Sequence, residues 1–299
     1  MTTDRPPANA FVAAARKVYG PVGFTKGYNF ILFFIFGGAF LGFALARLQY
    51  LALDTTCISG KDSEKPLDCY YYTERSIDRV GILLHLATIL PASLLTCLQF
   101  VPIIRRTFVL FHRINGYLIV ILSLVSTAGA LMLARNAVGG WMDVQMAVGV
   151  LSIAFLSSLA LALYNIKRLQ IEQHRAWMLR AWFYHPDCEA YFSGQNPNKA
   201  VLVSATMDGN GSNATAVLSL GFGAAFWLAF AMHAVGVEIY LRLTPAEANR
   251  LRNVSYQRQL EAGMKHPGRS GLTADRIGDS ALWEPKGQEH SAEKVEGAE

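Results

Sequence analysis

Residues 28–46 read YNFILFFIFGGAFLGFALA, an uncharged run bracketed by Lys26 and Arg47. About 20 apolar residues are needed to cross a hydrocarbon core roughly 30 Å thick. In lipid every backbone N–H and C=O must be paired within its own segment, so such a run has to be a helix. It is too long for a cleaved signal peptide and lacks a small-residue cleavage site, so it reads as a signal anchor. Comparable runs recur at about 80–101, 114–134, 142–164 and 216–241. The composition agrees: 52% of the 299 residues are hydrophobic and 16% are charged, against about 25% charged in a soluble domain. The predicted fold class is an all-α integral membrane bundle with five clear transmembrane helices and an irregular or missing sixth.

Lys and Arg in the short connections set the orientation. The segment 1–27 holds Arg5, Arg16, Lys17 and Lys26. Arg105, Arg106 and Arg113 follow the second run, and Lys167, Arg168, Arg175 and Arg180 follow the fourth. These stretches are predicted to face the cytosol; residues 48–79 and the turn at Gly139-Gly140 then face out. The charge distribution is that of a multi-pass protein of an endomembrane or the plasma membrane. The net charge of +5 therefore points to membrane lipids as partners rather than to nucleic acid, whose binding motifs are missing. Gly38 and Gly42 make a GxxxG step that either admits a second helix, with oligomerisation one outcome, or is a chance spacing of glycines in an apolar run. Cys57 and Cys69 share the outer connection and are a candidate disulfide; Cys97 and Cys188 read as free thiols. Tyr70, Tyr71 and Tyr72 read as interfacial anchors.

After the last run, residues 242–265 predict a basic cytosolic helix carrying Arg242, Arg250, Arg252 and Arg258, lying near anionic headgroups. Thr244, Pro245 and Glu247 spell its start, with a Thr cap, Pro at the first helical position and Glu closing a capping box. Glu238 either reaches the headgroups or pairs with Arg242 one turn on. Residues 266–299 are polar and Gly-rich and predict a disordered tail. Two cytosolic ends require an even number of spans, so one span is missing. Its place is within 175–215, where the apolar Ala176–Tyr184 runs into HPDCEAYFSGQNPNK. Asn210 and Asn213 head glycosylation sequons there and make the chain a candidate glycoprotein.

Two short motifs stand beside the apolar runs: FHRINGY at 111–117 and QHRAWMLRAWFY at 173–184. On these, and on LGFGAAFWLAFAMHAVGVEIYLRLTP, the chain resembles the predicted membrane proteins called domain of unknown function 2306, in their fungal form, over roughly residues 28–265. The resemblance implies a multi-pass helical bundle and no assigned activity. In that family the second His-Arg motif runs directly into another apolar helix. This chain departs there, from about His185 to Asn213. The departure predicts that a translated intron or a mis-chosen splice site replaces the fifth span.

Several chemistries find no residues: there is no GxSxG, P-loop, HExxH, CxxC or dinucleotide fingerprint. Three readings remain. In the first, a small molecule or lipid is bound or transported at a polar-lined interior. His85, Thr88, Thr96 and Gln99 lie within about 80° of arc on one helix. His112, Gly116, Ser123, Thr127 and Ala130 share one face of the next, and the last run adds His233. The same stripes equally suit interhelical hydrogen bonds. At the cytosolic end His112, Arg113, His174, Arg175 and Arg180 are anion-binding candidates, since Arg grips phosphate and carboxylate bidentately. The positive-inside rule accounts for them equally well. The second reading is a haem-dependent oxidoreductase of the b-type, with His112 and His174 as axial ligands. The third is a membrane enzyme of fungal specialised metabolism, which no residue singles out.

Overall fold

The computed structural model describes residues 9–24, 26–51, 69–136, 142–184, 211–268 and 285. Every regular element among them is helical. In chain order these are α1 (Ala10–Tyr19), α2 (Gly27–Arg47), a 3-10 turn (Leu48–Leu51), α3 (Cys69–Glu74), α4 (Ser76–Phe100), α5 (Pro102–Thr107) and α6 (Val109–Leu133). Then follow α7 (Met142–Lys167), α8 (Ile171–Phe183), α9 (Gly211–Leu243) and α10 (Pro245–Glu261). Five are long and apolar enough to cross a membrane: α2, α4, α6, α7 and the Gly223–Leu243 part of α9. Each matches one of the five apolar runs. Cys57 and Asn210 lie outside the described residues, as do the side chains of Cys69 and Asn213. The doubtful span is described only as far as Tyr184.

The chain divides into two compact units, Met1–Val148 with Asn196–Gly223, and Gly149–Gln195 with Ala224–Glu299. The core of the first is the α4–α6 pair. The two helices cross where Gly81 meets Gly129. A Cβ on Gly129 would stand 2.7 Å from the Gly81 carbonyl oxygen and 2.7 Å from the His85 nitrogen, so glycine is what allows this approach. Polar groups then tie the pair along its length. The His85 ring Nδ1 lies 2.9 Å from Ser126 Oγ and 3.1 Å from the Ser126 carbonyl oxygen. Asn115 Nδ2 donates to the Leu95 carbonyl at 3.1 Å, and Gln99 Nε2 donates to the His112 carbonyl at 3.0 Å. At the other end, Asn136 Nδ2 bonds both oxygens of the buried Asp78, at 3.2 and 3.0 Å. Such bonds between membrane helices contribute on average about 0.6 kcal/mol each.

Helix α2 is different. Ala44 is its one buried residue, and a Cβ on Gly38 or Gly42 would meet nothing within 4 Å. The GxxxG step therefore packs against no described helix. The start of α2 is fixed by aromatic rings instead: Phe24 stands 5.6 Å from Phe30 and 5.4 Å from Phe33. In α3, Tyr72 is buried rather than set at an interface, because the connection folds back into a helix beside α4.

In the second unit α10 begins as the sequence predicts, with Thr244 at the cap position and Pro245 at the first helical position. The capping box does not form. Thr244 Oγ1 donates back to the Tyr240 carbonyl at 3.0 Å, and Glu247 closes a fork on Arg250 at 2.8 Å. Both side chains thus have nearer partners than the cap. Glu238 takes its hydrogen bonds from Arg180, which α8 brings to it, while Arg242 one turn on adds a longer-range attraction. Helix α10 docks on α8: Ser255 Oγ accepts from Ile171 N–H at 2.8 Å and meets the Glu172 carboxylate. Gln259 Nε2 donates to the Arg168 carbonyl at 3.1 Å.

Candidate functional site

Helix α7 ends in a tight reversal. Leu169 N–H bonds the Ile166 carbonyl at 3.0 Å, and Gln170 N–H bonds the Asn165 carbonyl at 2.9 Å. This paired pattern needs a left-handed residue at the turn, usually glycine. Here Leu169 holds it, at φ 58°. A left-handed branched residue costs about 1–2 kcal/mol, and such strain persists only where the surroundings over-determine it.

The reversal starts α8 at Ile171 and sets Gln170, His174 and Trp177 on one face, since residues i, i+4 and i+7 align on a helix. His174 faces the last turns of α7: its Nδ1 donates to the Ala162 carbonyl at 2.9 Å. A carbonyl only accepts, so Nδ1 carries the proton. Burial pushes the His174 pKa below its usual value, opposed by that hydrogen bond, and the ring is neutral near pH 7. Around it are polar atoms that find no partner among the described residues. Gln170 is 0% exposed, and neither its Oε1 nor its Nε2 has a hydrogen-bond partner among the described residues. Asn165, equally buried, gives Nδ2 to the Leu161 carbonyl at 2.7 Å, while its Oδ1 has none. Trp177 Nε1 is in the same condition. A buried unpaired donor or acceptor costs about 1–3 kcal/mol, and in a native structure such a group is met by a water or a bound group, or stores strain.

The arginines of this motif hold α8 in place. Arg180 forks onto Glu238 of α9, Nε to Oε1 at 2.6 Å and Nη2 to Oε2 at 3.0 Å, and stacks 4.6 Å above Trp177. Arg175 reaches the Tyr240 hydroxyl and Thr244 Oγ1, both at 3.4 Å, with its guanidinium 5.6 Å from the Tyr240 ring centre. Arg175 faces no carboxylate among the described residues. His233 of α9 sits edge-on to Phe183 at 6.3 Å.

The first His-Arg motif is in the other unit. His112 is in the first turns of α6, which begins at Val109 rather than Ile114, and its carbonyl receives Gln99. Arg113 is exposed. The intramembrane candidates mostly bond within the α4–α6 pair or to their own helix. Thr88 donates to the Leu84 carbonyl at 2.6 Å and Thr96 to the Ala92 carbonyl at 2.8 Å.

Residues 82–192 match the family model of DUF2306, described as a predicted membrane protein. No curated protein and no solved structure matches the chain. With its five candidate spans, the chain is a multi-pass membrane protein. The DUF2306 match is shorter than the 28–265 the resemblance suggests, and it enters the departing segment, ending at 192. It runs from within α4 through α8 and includes both His-Arg motifs, the α4–α6 bonds other than that of Asp78, and the α7–α8 turn. Glu238, Tyr240 and Ser255, which bond α8, and Gln259, which bonds the turn at Arg168, lie outside it.

Among the described residues no group of three His, Cys, Asp or Glu is placed to hold a metal ion. Of the sequence candidates, the second unit assembles His174, Arg175, Arg180 and His233. Sequence reasoning missed Asn165 and Gln170. The only signal for them was two amides flanking the basic end of an apolar run.

Proposed function

We propose that this protein is a non-enzymatic membrane protein that binds or transports a small molecule or lipid, and that it holds the ligand's polar head at the α7–α8 turn. The observation that carries the reading is Gln170, fully buried with both amide atoms unpaired among the described residues. The unmet groups define the ligand. Gln170 Nε2 and Trp177 Nε1 each need an acceptor; Gln170 Oε1 and Asn165 Oδ1 each need a donor. A head bearing hydroxyl or carboxamide groups supplies both. With Arg180 neutralised by Glu238, Arg175 is the cation left to favour a partial negative charge. The strained Leu169 next to these groups supports a site rather than a packing defect.

The test is mass spectrometry of what the detergent-purified protein retains, beside Gln170→Leu. A hydroxyl- or amide-bearing species on the wild type, absent from the folded variant, supports the reading. A variant that melts higher while both samples retain the same material sinks it, because an orphaned amide replaced by an apolar group is expected to stabilise.

One observation favours a second reading, the haem-dependent oxidoreductase. The Nδ1–H bond of His174 to a backbone carbonyl is the arrangement that orients an imidazole to ligate through Nε2. A reduced-minus-oxidised spectrum of the purified protein, beside a His112→Ala, His174→Ala double variant, decides it. Sharp reduced bands lost in the folded variant support haem; a flat spectrum from protein expressed with ample haem removes it.

A further inference from the structure

Helix α1 has no buried residue. Asn9 caps it, its side-chain oxygen accepting from Val12 N–H at 2.9 Å. At 100° per residue, Ala14, Ala15 and Val18 fall within about 60° of Phe11, with Arg16 and Lys17 on the opposite half. The apolar face is uncovered: Phe11 is 81% exposed and Val18 62%.

The helix is also tied to one end of the first unit. Tyr19 stands 6.3 Å from Phe30 in the first turn of α2. The linker lies on α5: Ile103 N–H bonds the Val22 carbonyl at 3.2 Å, and Arg106 Nη1 bonds the Gly23 carbonyl at 3.2 Å. Gly23, at φ 91°, permits this, since a Cβ there would stand 2.8 Å from the Ile103 nitrogen. A span that starts at Gly27 therefore places α1 at the level where that span leaves the lipid. This end is also of one sign. Residues 9–51 and 100–117 contain Arg16, Lys17, Lys26, Arg47, Arg105, Arg106 and Arg113 and no Asp or Glu, and all but Arg47 lie on the α1–α2 linker side.

We propose that α1 lies in the plane of an anionic bilayer surface, with Phe11 and Val18 set into the boundary of the acyl chains and the basic side chains over the phosphates. An in-plane helix needs an apolar face and a basic one, and α1 has both. Each cation near an anionic surface favours docking about fivefold, so Lys17 and Lys26 together supply roughly thirtyfold. This is independent of the ligand site at α7–α8.

The experiment is amide hydrogen exchange of the full chain in nanodiscs of phosphatidylcholine alone and of phosphatidylcholine with phosphatidylserine. Exchange in Ala10–Tyr19 is expected to slow by roughly thirtyfold in the anionic discs. Lys17→Gln with Lys26→Gln should remove most of that difference, and Phe11→Ser should speed exchange in both compositions. Unchanged protection of α4 and α6 shows that the variants remain folded. Equal exchange of α1 in the two compositions overturns the proposal, as does a difference that the lysine variant keeps. Fast exchange in both would leave the apolar face for a protein partner and overturns it as well.

Discussion

At the α7–α8 turn the fold is held by single residues that oppose it. Leu169 occupies a left-handed position that glycine would occupy without strain. Leu169→Gly is therefore expected to raise stability by about 1 kcal/mol, read as a higher thermal midpoint in detergent. An unchanged or lower midpoint would mean that the leucine side chain repays the strain by packing. His174 gives a pH prediction. Burial disfavours its imidazolium, so its folded pKa lies below the usual value of about 6.5. The unfolded chain then takes the proton first. The contribution to stability is complete above about pH 6.5 and is lost as the pH falls from there through the depressed value. Between about pH 7.5 and 5 the wild type should lose more thermal stability than His174→Gln, which cannot titrate. Parallel profiles would assign the titration elsewhere. Arg180 and Glu238 give a third. Glu238 is 42% exposed, so screening reduces the pair to about 1 kcal/mol of coupling. A double-mutant cycle of Arg180→Gln and Glu238→Gln is expected to find that coupling, and strictly additive losses would show that the fork contributes nothing.

At the scale of elements, the same residue type has opposite meanings on neighbouring helices. Gly129 is pressed against the backbone of α4, which cannot yield as a side chain could. Gly129→Ala should lower stability by about 1–3 kcal/mol, the usual range for overpacking. Gly42 faces open space, so Gly42→Ala should leave the thermal midpoint of the monomer unchanged. A shared loss at both positions would mean that α2 has a partner helix on its glycine face. This contrast marks what could be read from the sequence. The spans were legible because an uncharged run near 20 residues has one solution in lipid, and the polar stripes were legible as a choice between a cavity and interhelical bonds. Which glycine sits at a crossing was not, because GxxxG is visible in the chain whereas Gly81 and Gly129 become neighbours only when α4 and α6 pair. Helix α1 shows the opposite case: its signal is present at Phe11, Ala15 and Val18 with Arg16 and Lys17 behind them, but ten residues are a weak pattern beside apolar runs twice as long. At the candidate site, the His-Arg motif drew attention to α8. The partner of Arg180 lay far along the chain at Glu238, and nothing in Leu169 announces a left-handed turn.

For the whole molecule the decisive quantity is the parity of its spans. Five candidate spans are described, and an odd number puts the two ends of the chain on opposite sides of the membrane. The basic residues argue otherwise. Lys17 and Lys26 precede α2, Arg242 closes the last span and Arg250 and Arg258 follow it; by the positive-inside rule both groups belong to one side. The DUF2306 match passes through α8 and ends at 192, within the polar stretch that begins at His185. Residues 185–210 lie outside the described residues. If a splice error stands there, reads of the messenger across codons 180–220 will join the α8 coding sequence to an apolar stretch and omit most of 185–213. The restored chain would have an even number of spans, and epitope tags at its two ends would be accessible from the same side. If the message instead encodes the present residues, the same tags should be accessible from opposite sides. The basic helix α10 would then be an exception to the charge rule, lying on the side opposite to the anionic surface inferred for α1.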